Sequence, residues 1–207
     1  MSEIEPRPIA VTICGLDELA GRASDVTHVL SILDPGSPEP AALRSFDLGR
    51  RLKLHFHDVI DPTPGWVAPE PWDVELLLAF GRDLDAPRPA AVATAPHPHL
   101  LVPHPHLLVH CHAGLSRSTA AAILILAQRD PAQPARDIVG RIIRLRPRAW
   151  PNLRIVEFGD RLLGRDGEII AAVHALYQLA LSRDPWLAEA MIENGREREV
   201  RAAGRLR

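Results

Sequence analysis

Cys111 and Arg117 stand six positions apart in the stretch His110-Cys111-His112-Ala113-Gly114-Leu115-Ser116-Arg117-Ser118, with glycine and small or polar residues between them. The two side chains are a nucleophile and an anion clamp. A cysteine thiolate attacks electrophilic centres, and a guanidinium fork grips two oxygens of one anion, which an ammonium group does not. The apolar run Leu107-Leu108-Val109 precedes the stretch, and Thr119 to Ala127, mostly Ala, Ile and Leu, follows it. That order predicts strand, tight loop, helix. A loop so placed gathers unpaired N–H groups at the positive end of a helix dipole, a ready site for an anion. The N–H groups from His112 to Arg117 are expected to cradle phosphate oxygens as a backbone nest. The same field favours Cys111 as thiolate over thiol. The chemistry expected of the stretch is attack of a sulfur nucleophile on a bound phosphate monoester.

On these residues the chain resembles the cysteine-dependent protein tyrosine phosphatases. The wording His110 to Ser118 is most similar to the dual-specificity-like branch and to the predicted tyrosine phosphatases of bacteria. Trp150-Pro151-Asn152 also resembles the Pro-Asn element that follows the helix pair of that branch. The arrangement matches from about Ile9 to Gly164, but the wording is specific only around these two places. The resemblance implies a phosphocysteine intermediate on Cys111 and phosphate binding by His112, Ala113, Gly114, Leu115, Ser116 and Arg117. It further implies that Ser118 hydrogen-bonds the sulfur, and that His110 supports the loop rather than acting as an acid. It implies a phosphorylated protein or peptide as substrate, no cofactor and no metal. Two other readings stand beside it: a module that binds phosphorylated partners without turnover, and a phosphatase of non-protein phosphoesters. The loop lacks the extra basic residues expected of lipid-phosphate specialists.

Expulsion of an alkoxide or phenolate needs a proton from a positioned group. In the family that group is an Asp on a loop upstream of the cysteine. The Pro-rich loop after the third expected strand offers Asp58, one residue past Phe56-His57, and Asp61. Asp58 is the first choice and Asp61 the alternative.

Elements that position these residues follow from periodicity. Strands are expected at Ile9–Ile13, Thr27–Leu33 and Arg50–Phe56, the second closed by Asp34-Pro35-Gly36, with His28 as a satisfied strand histidine. Helices are expected at Asp17–Ser24, Trp72–Leu84, Ala135–Leu145 and Leu153–Gly164. Alternating strands and helices give an α/β fold, a single domain with a mostly parallel central sheet flanked by helices. The core is expected over about 9–164, with a helical C-terminal extension over about 168–207. Within that extension Ile169–Ser182 and Trp186–Asn194 read as helices, and the charged end from Gly195 reads as frayed and without catalytic role. Arg141, Arg144, Arg146 and Arg148 read as a solvated face, with a surface that attracts phosphorylated substrates as the alternative. The tandem repeat Pro96–Val102 and Pro103–Val109 reads as a duplication whose second copy enters the strand before Cys111; its first copy reads as a surface excursion.

The 207 residues carry 46% hydrophobic and 24% charged residues and a net charge of -2, values that suit a globular domain and offer nothing to attract nucleic acid or an anionic membrane. There is no secretory signal, and no apolar run approaches the roughly 20 residues that span a bilayer. With two cysteines, Cys14 and Cys111, no disulfide framework is expected and a reducing cytoplasm is the natural setting. Cys14 reads as a small buried side chain at a strand end, with a redox partner of Cys111 as the alternative.

Overall fold

The computed structural model describes residues 8–23, 26–44, 46, 50–86 and 104–204. Its centre is a four-stranded parallel sheet in the order β1-β4-β2-β3, built from β1 (Ala10–Cys14), β2 (His28–Leu33), β3 (Arg51–His55) and β4 (His106–His110). The central strands β2 and β4 are buried almost throughout because both of their faces are covered. Leu107-Leu108-Val109 of the second repeat copy lies within β4, in register with β1 and β2. The first copy lies outside the described residues.

Around the sheet lie α1 (Leu19–Arg22), α2 (Pro71–Arg82), α3 (Arg117–Arg129), α4 (Ala135–Leu145), α5 (Leu153–Leu162), α6 (Glu168–Arg183), α7 (Leu187–Glu193) and α8 (Glu197–Ala202). Pro71 starts α2 inside a capping box made by Glu70 and Asp73. From Arg117 to Ala127, α3 is buried on every side, which is the pattern of a helix enclosed by others rather than laid on a surface. It packs on β1, β4, α2, α4 and α5.

The extension belongs to the same packing. Ile169, Val173, Tyr177 and Leu181 of α6 and Val200 of α8 are fully buried in the main core. The charged end is therefore not a frayed tail over its described part: Glu197–Ala202 is helical and inserts Glu199 and Val200, both at 0% exposure.

Parallel strands deliver their C-terminal ends to one edge of the sheet. At that edge stand Cys14-Gly15 after β1, Asp34 after β2, His57-Asp58 after β3 and Cys111 after β4. The crevice outside the carboxyl ends of such strands is where α/β folds bind ligands.

Candidate active site

The loop from Cys111 to Ser116 joins the central strand β4 to the N-terminus of α3. Its carbonyls are occupied from outside. Leu16 N–H donates to His112 O at 2.9 Å, Trp150 N–H to Leu115 O at 2.9 Å and Asn152 N–H to Ser116 O at 3.3 Å. Arg146 donates from Nη2 to Ala113 O at 3.1 Å and from Nε to Gly114 O at 3.2 Å. In a trans peptide the N–H opposes the C=O, so carbonyls held outward aim the following amides inward. Gly114 N–H donates to Cys111 Sγ at 3.3 Å. An inward amide beside the sulfur is the kind of donor an anion-binding nest uses.

Gly114 makes the tight path possible. Its φ is +71°, and a Cβ there would stand 2.4 Å from Cys14 C and 2.6 Å from Gly15 N. Backbone, not a movable side chain, fills that space, so glycine alone fits.

Cys111 is 2% exposed, with Ser118 Oγ 3.2 Å from its sulfur. Arg117 is equally covered, and its Nη1 donates at 2.6 Å both to Asp34 Oδ1 and to Phe56 O. Its Nε is buried with no hydrogen-bond partner among the described residues. An orphaned guanidinium N–H beside an amide nest calls for an anionic acceptor. His112 and Ala113 form the exposed rim, with His112 Nε2 3.7 Å from Asp34 Oδ2. His110 lies behind the loop, its Nε2 2.6 Å from Ser31 Oγ. Burial drives its pKa down to about 4, so the ring is neutral at physiological pH.

The two candidate acids part company. Asp61 is exposed and pairs with Arg198 Nε at 3.1 Å, turned toward α8. Asp58 turns to the loop: Oδ1 accepts from Ser116 Oγ at 2.7 Å and from Asn152 Nδ2 at 2.8 Å. Its Oδ2 lies 3.3 Å from Arg196 Nη1. Burial raises its proton affinity, but Arg196, Asn152, Arg117 and Ser116 together outweigh burial and hold the carboxyl below its ordinary range. A cavity of about 520 Å³ lies beside it, lined among others by Val59, Ile60, Trp66, Met191 and Arg196.

Asn152 has two jobs. Its Oδ1 accepts from Ile155 N–H at 3.1 Å and caps α5, while its Nδ2 holds Asp58. The Pro-Asn wording marked this residue; its contact with Asp58 had no sequence signal.

Several groups around the loop escaped the sequence reading. Asp34 was visible only as a turn former, although its place at the end of β2 puts it on the edge that carries Cys111. Arg146 read as part of a solvated face, yet it is bound to two loop carbonyls and to Glu18 at 2.8 Å. Arg196 and Glu199 sit in a run whose charge density reads as solvent-facing. Nothing local distinguishes them from their exposed neighbours Glu197 and Arg201.

No protein-family model and no curated protein matches the sequence. Among solved structures the chain is similar to the PTP-2 phosphatase of Cydia pomonella, at 22% identity and a TM-score of 0.49 over 72% of this chain and 83% of that one. Human DUSP28 aligns at 17% identity and a TM-score of 0.48, over 75% and 88% of the two chains. The Yvh1 phosphatase domain of Chaetomium thermophilum aligns at 20% and 0.46, over 79% and 94%.

Proposed function

We propose that this chain is a cysteine-dependent phosphomonoester hydrolase of the dual-specificity-like kind. Its substrate in this reading is a phosphotyrosine-bearing protein or peptide, with phosphoserine and phosphothreonine as further candidates. The observation that carries the reading is one cluster. A buried thiol touches a hydroxyl and an inward amide at a helix N-terminus, beside a buried arginine with a free donor.

The steps follow from those groups. Phosphate oxygens settle on the loop amides and the fork of Arg117, which neutralise charge as the P–O bond breaks. Cys111 thiolate attacks phosphorus from the floor of the loop. The leaving oxygen takes a proton from Asp58, and the phosphoryl group stays on sulfur. Water then attacks phosphorus and gives its proton to Asp58, while Ser118 donates to the departing thiolate. His112, Ala113, Gly114, Leu115 and Ser116 act through their backbone, and His110 supports them from behind. In this reading 1–207 form one unit, a core with its extension, at work in the cytoplasm. Among the described residues no helix is long and apolar enough to cross a membrane.

Turnover of p-nitrophenyl phosphate and of a phosphotyrosine peptide in the presence of a chelator tests the reading. Cys111→Ser is expected to abolish turnover and retain phosphate binding, because the near-isosteric hydroxyl does not ionise at neutral pH. Residual activity within tenfold of the wild type would exclude covalent thiolate catalysis. Phosphate binding without turnover in the wild type would instead leave the binding-module reading standing.

A further inference from the structure

Arg196 and Glu199 form a buried ion pair on the C-terminal extension. Arg196 Nε donates to Glu199 Oε2 at 2.8 Å, and Nη2 reaches Glu199 Oε1 at 3.2 Å. Glu199 also accepts from Leu153 N–H at 3.0 Å, from Tyr177 OH at 3.3 Å and from Trp150 Nε1. A buried ion pair is a poor source of stability, since apolar side chains of like volume often serve as well. What the charges provide here is contact with the site. Arg196 Nη2 donates to Ser116 Oγ at 2.8 Å, and Nη1 lies 3.3 Å from Asp58 Oδ2.

We propose that Arg196, held by Glu199, is a positioning residue for the acid: it fixes the Asp58 carboxylate against Ser116 and thereby makes the extension part of the catalytic apparatus. The inference rests on Asp58 being the acid.

Every group that faces Asp58 bears on its proton. From the loop and α3 come Ser116 Oγ and the charge of Arg117; from the start of α5 comes Asn152 Nδ2; from the extension comes Arg196, with Glu199 and Tyr177 behind it. In the resting site these hold Asp58 as a carboxylate. A phosphate dianion on the loop engages Arg117 and adds like charge, so proton uptake by Asp58 becomes easier once substrate is bound. The proton that Asp58 then gives to the leaving oxygen returns from the attacking water.

The test is the pH dependence of kcat at saturating phenyl phosphate, a poor leaving group, in the full-length protein, because kcat reports the acid of the substrate complex. An arginine beside a carboxylate lowers its pKa by about 1–3 units. Arg196→Gln is therefore expected to move the alkaline limb upward by about one pH unit or more, with Arg196→Lys returning most of the shift. Glu199→Gln removes the opposing charge and leaves Arg196 to pull harder on Asp58, so its limb is expected to move downward. A role confined to packing would move neither limb, or both the same way, and would overturn the proposal. Should Arg196→Gln fail to fold, the sign of the Glu199→Gln shift decides. Asp58→Asn separates the two readings: loss of its alkaline limb with the Arg196→Gln limb unmoved sinks the positioning role alone. A limb that survives in Asp58→Asn sinks the acid assignment and the positioning role together.

Discussion

The fork of Arg117 is aimed by a carboxylate and a carbonyl that lie just past the ends of two different strands. Asp34 Oδ1 and Phe56 O share Nη1, each at 2.6 Å, which turns the rest of the guanidinium toward the nest. Small misplacements of a catalytic group cost up to about 10²-fold in rate. Asp34→Ala is accordingly expected to lower kcat by about 10- to 100-fold, while Asp34→Asn, which keeps the accepting oxygen, restores most of the rate. Steady-state kinetics on the two variants distinguish aim from charge. If both lose kcat equally, the negative charge of Asp34 and not its hydrogen bond is what matters.

At the scale of elements, the loop Cys111–Ser116 is held by its neighbours. The turn after β1, the end of α4 and the start of α5 each hold one or more of its carbonyls. Arg146 is the side chain with the greatest reach, joining Ala113 O and Gly114 O to Glu18. Glu18 in turn accepts from Gly15 N–H at 2.9 Å, so β1 and α4 are tied through the outer wall of the loop. Arg146→Ala leaves those carbonyls to water, which costs little stability at a half-covered site. It should nonetheless loosen the nest. The expected outcome is a rise in KM and a fall in kcat/KM of about tenfold, the worth of one hydrogen bond of about 1.4 kcal/mol, with thermal unfolding changed by only a few degrees. Kinetics unchanged from the wild type would show that Leu16, Trp150 and Asn152 suffice to hold the loop.

At the scale of the molecule, buried histidines set a pH dependence of stability that is separate from catalysis. His28 is 7% exposed and His110 0%, and burial drives the pKa of each from 6.5 down to about 4. Unfolded, both take up protons near pH 6.5; folded, they resist until about pH 4. Their contribution is therefore whole above about pH 6.5 and is lost as pH falls toward about 4, on the order of 3 kcal/mol for each ring. His28 makes its polar contact with Thr27 Oγ1, at 2.8 Å, and lies away from the loop. His28→Gln should flatten the decline in denaturant midpoint between pH 7 and pH 4.5 without touching the pH profile of turnover. A decline as steep as the wild type's would assign the acid sensitivity to other groups.

Residues that lie near one another along the chain are legible as a candidate site. The strand, the loop, the helix start and the identities of Cys111, Gly114, Arg117 and Ser118 lie within one short stretch, so local propensity and residue chemistry are enough to read them. The alternation of apolar runs with amphipathic ones likewise pointed to a mostly parallel sheet, because parallel neighbours need long crossover connections. The order β1-β4-β2-β3 came from the tertiary structure. Tertiary structure alone decided which distant charges meet. Asp34 reaches Arg117 across 83 residues and Arg196 reaches Ser116 across 80, separations at which no periodicity carries information. It also set the two candidate carboxylates apart. Asp58 and Asp61 are equivalent as letters in one Pro-rich loop, but packing turns the first to Ser116 and the second to Arg198. The charged run after Gly195 has the composition of a solvated end. Burial of Val200 in the core draws Arg196 and Glu199 inward with it, and only there does their pairing with the site become possible.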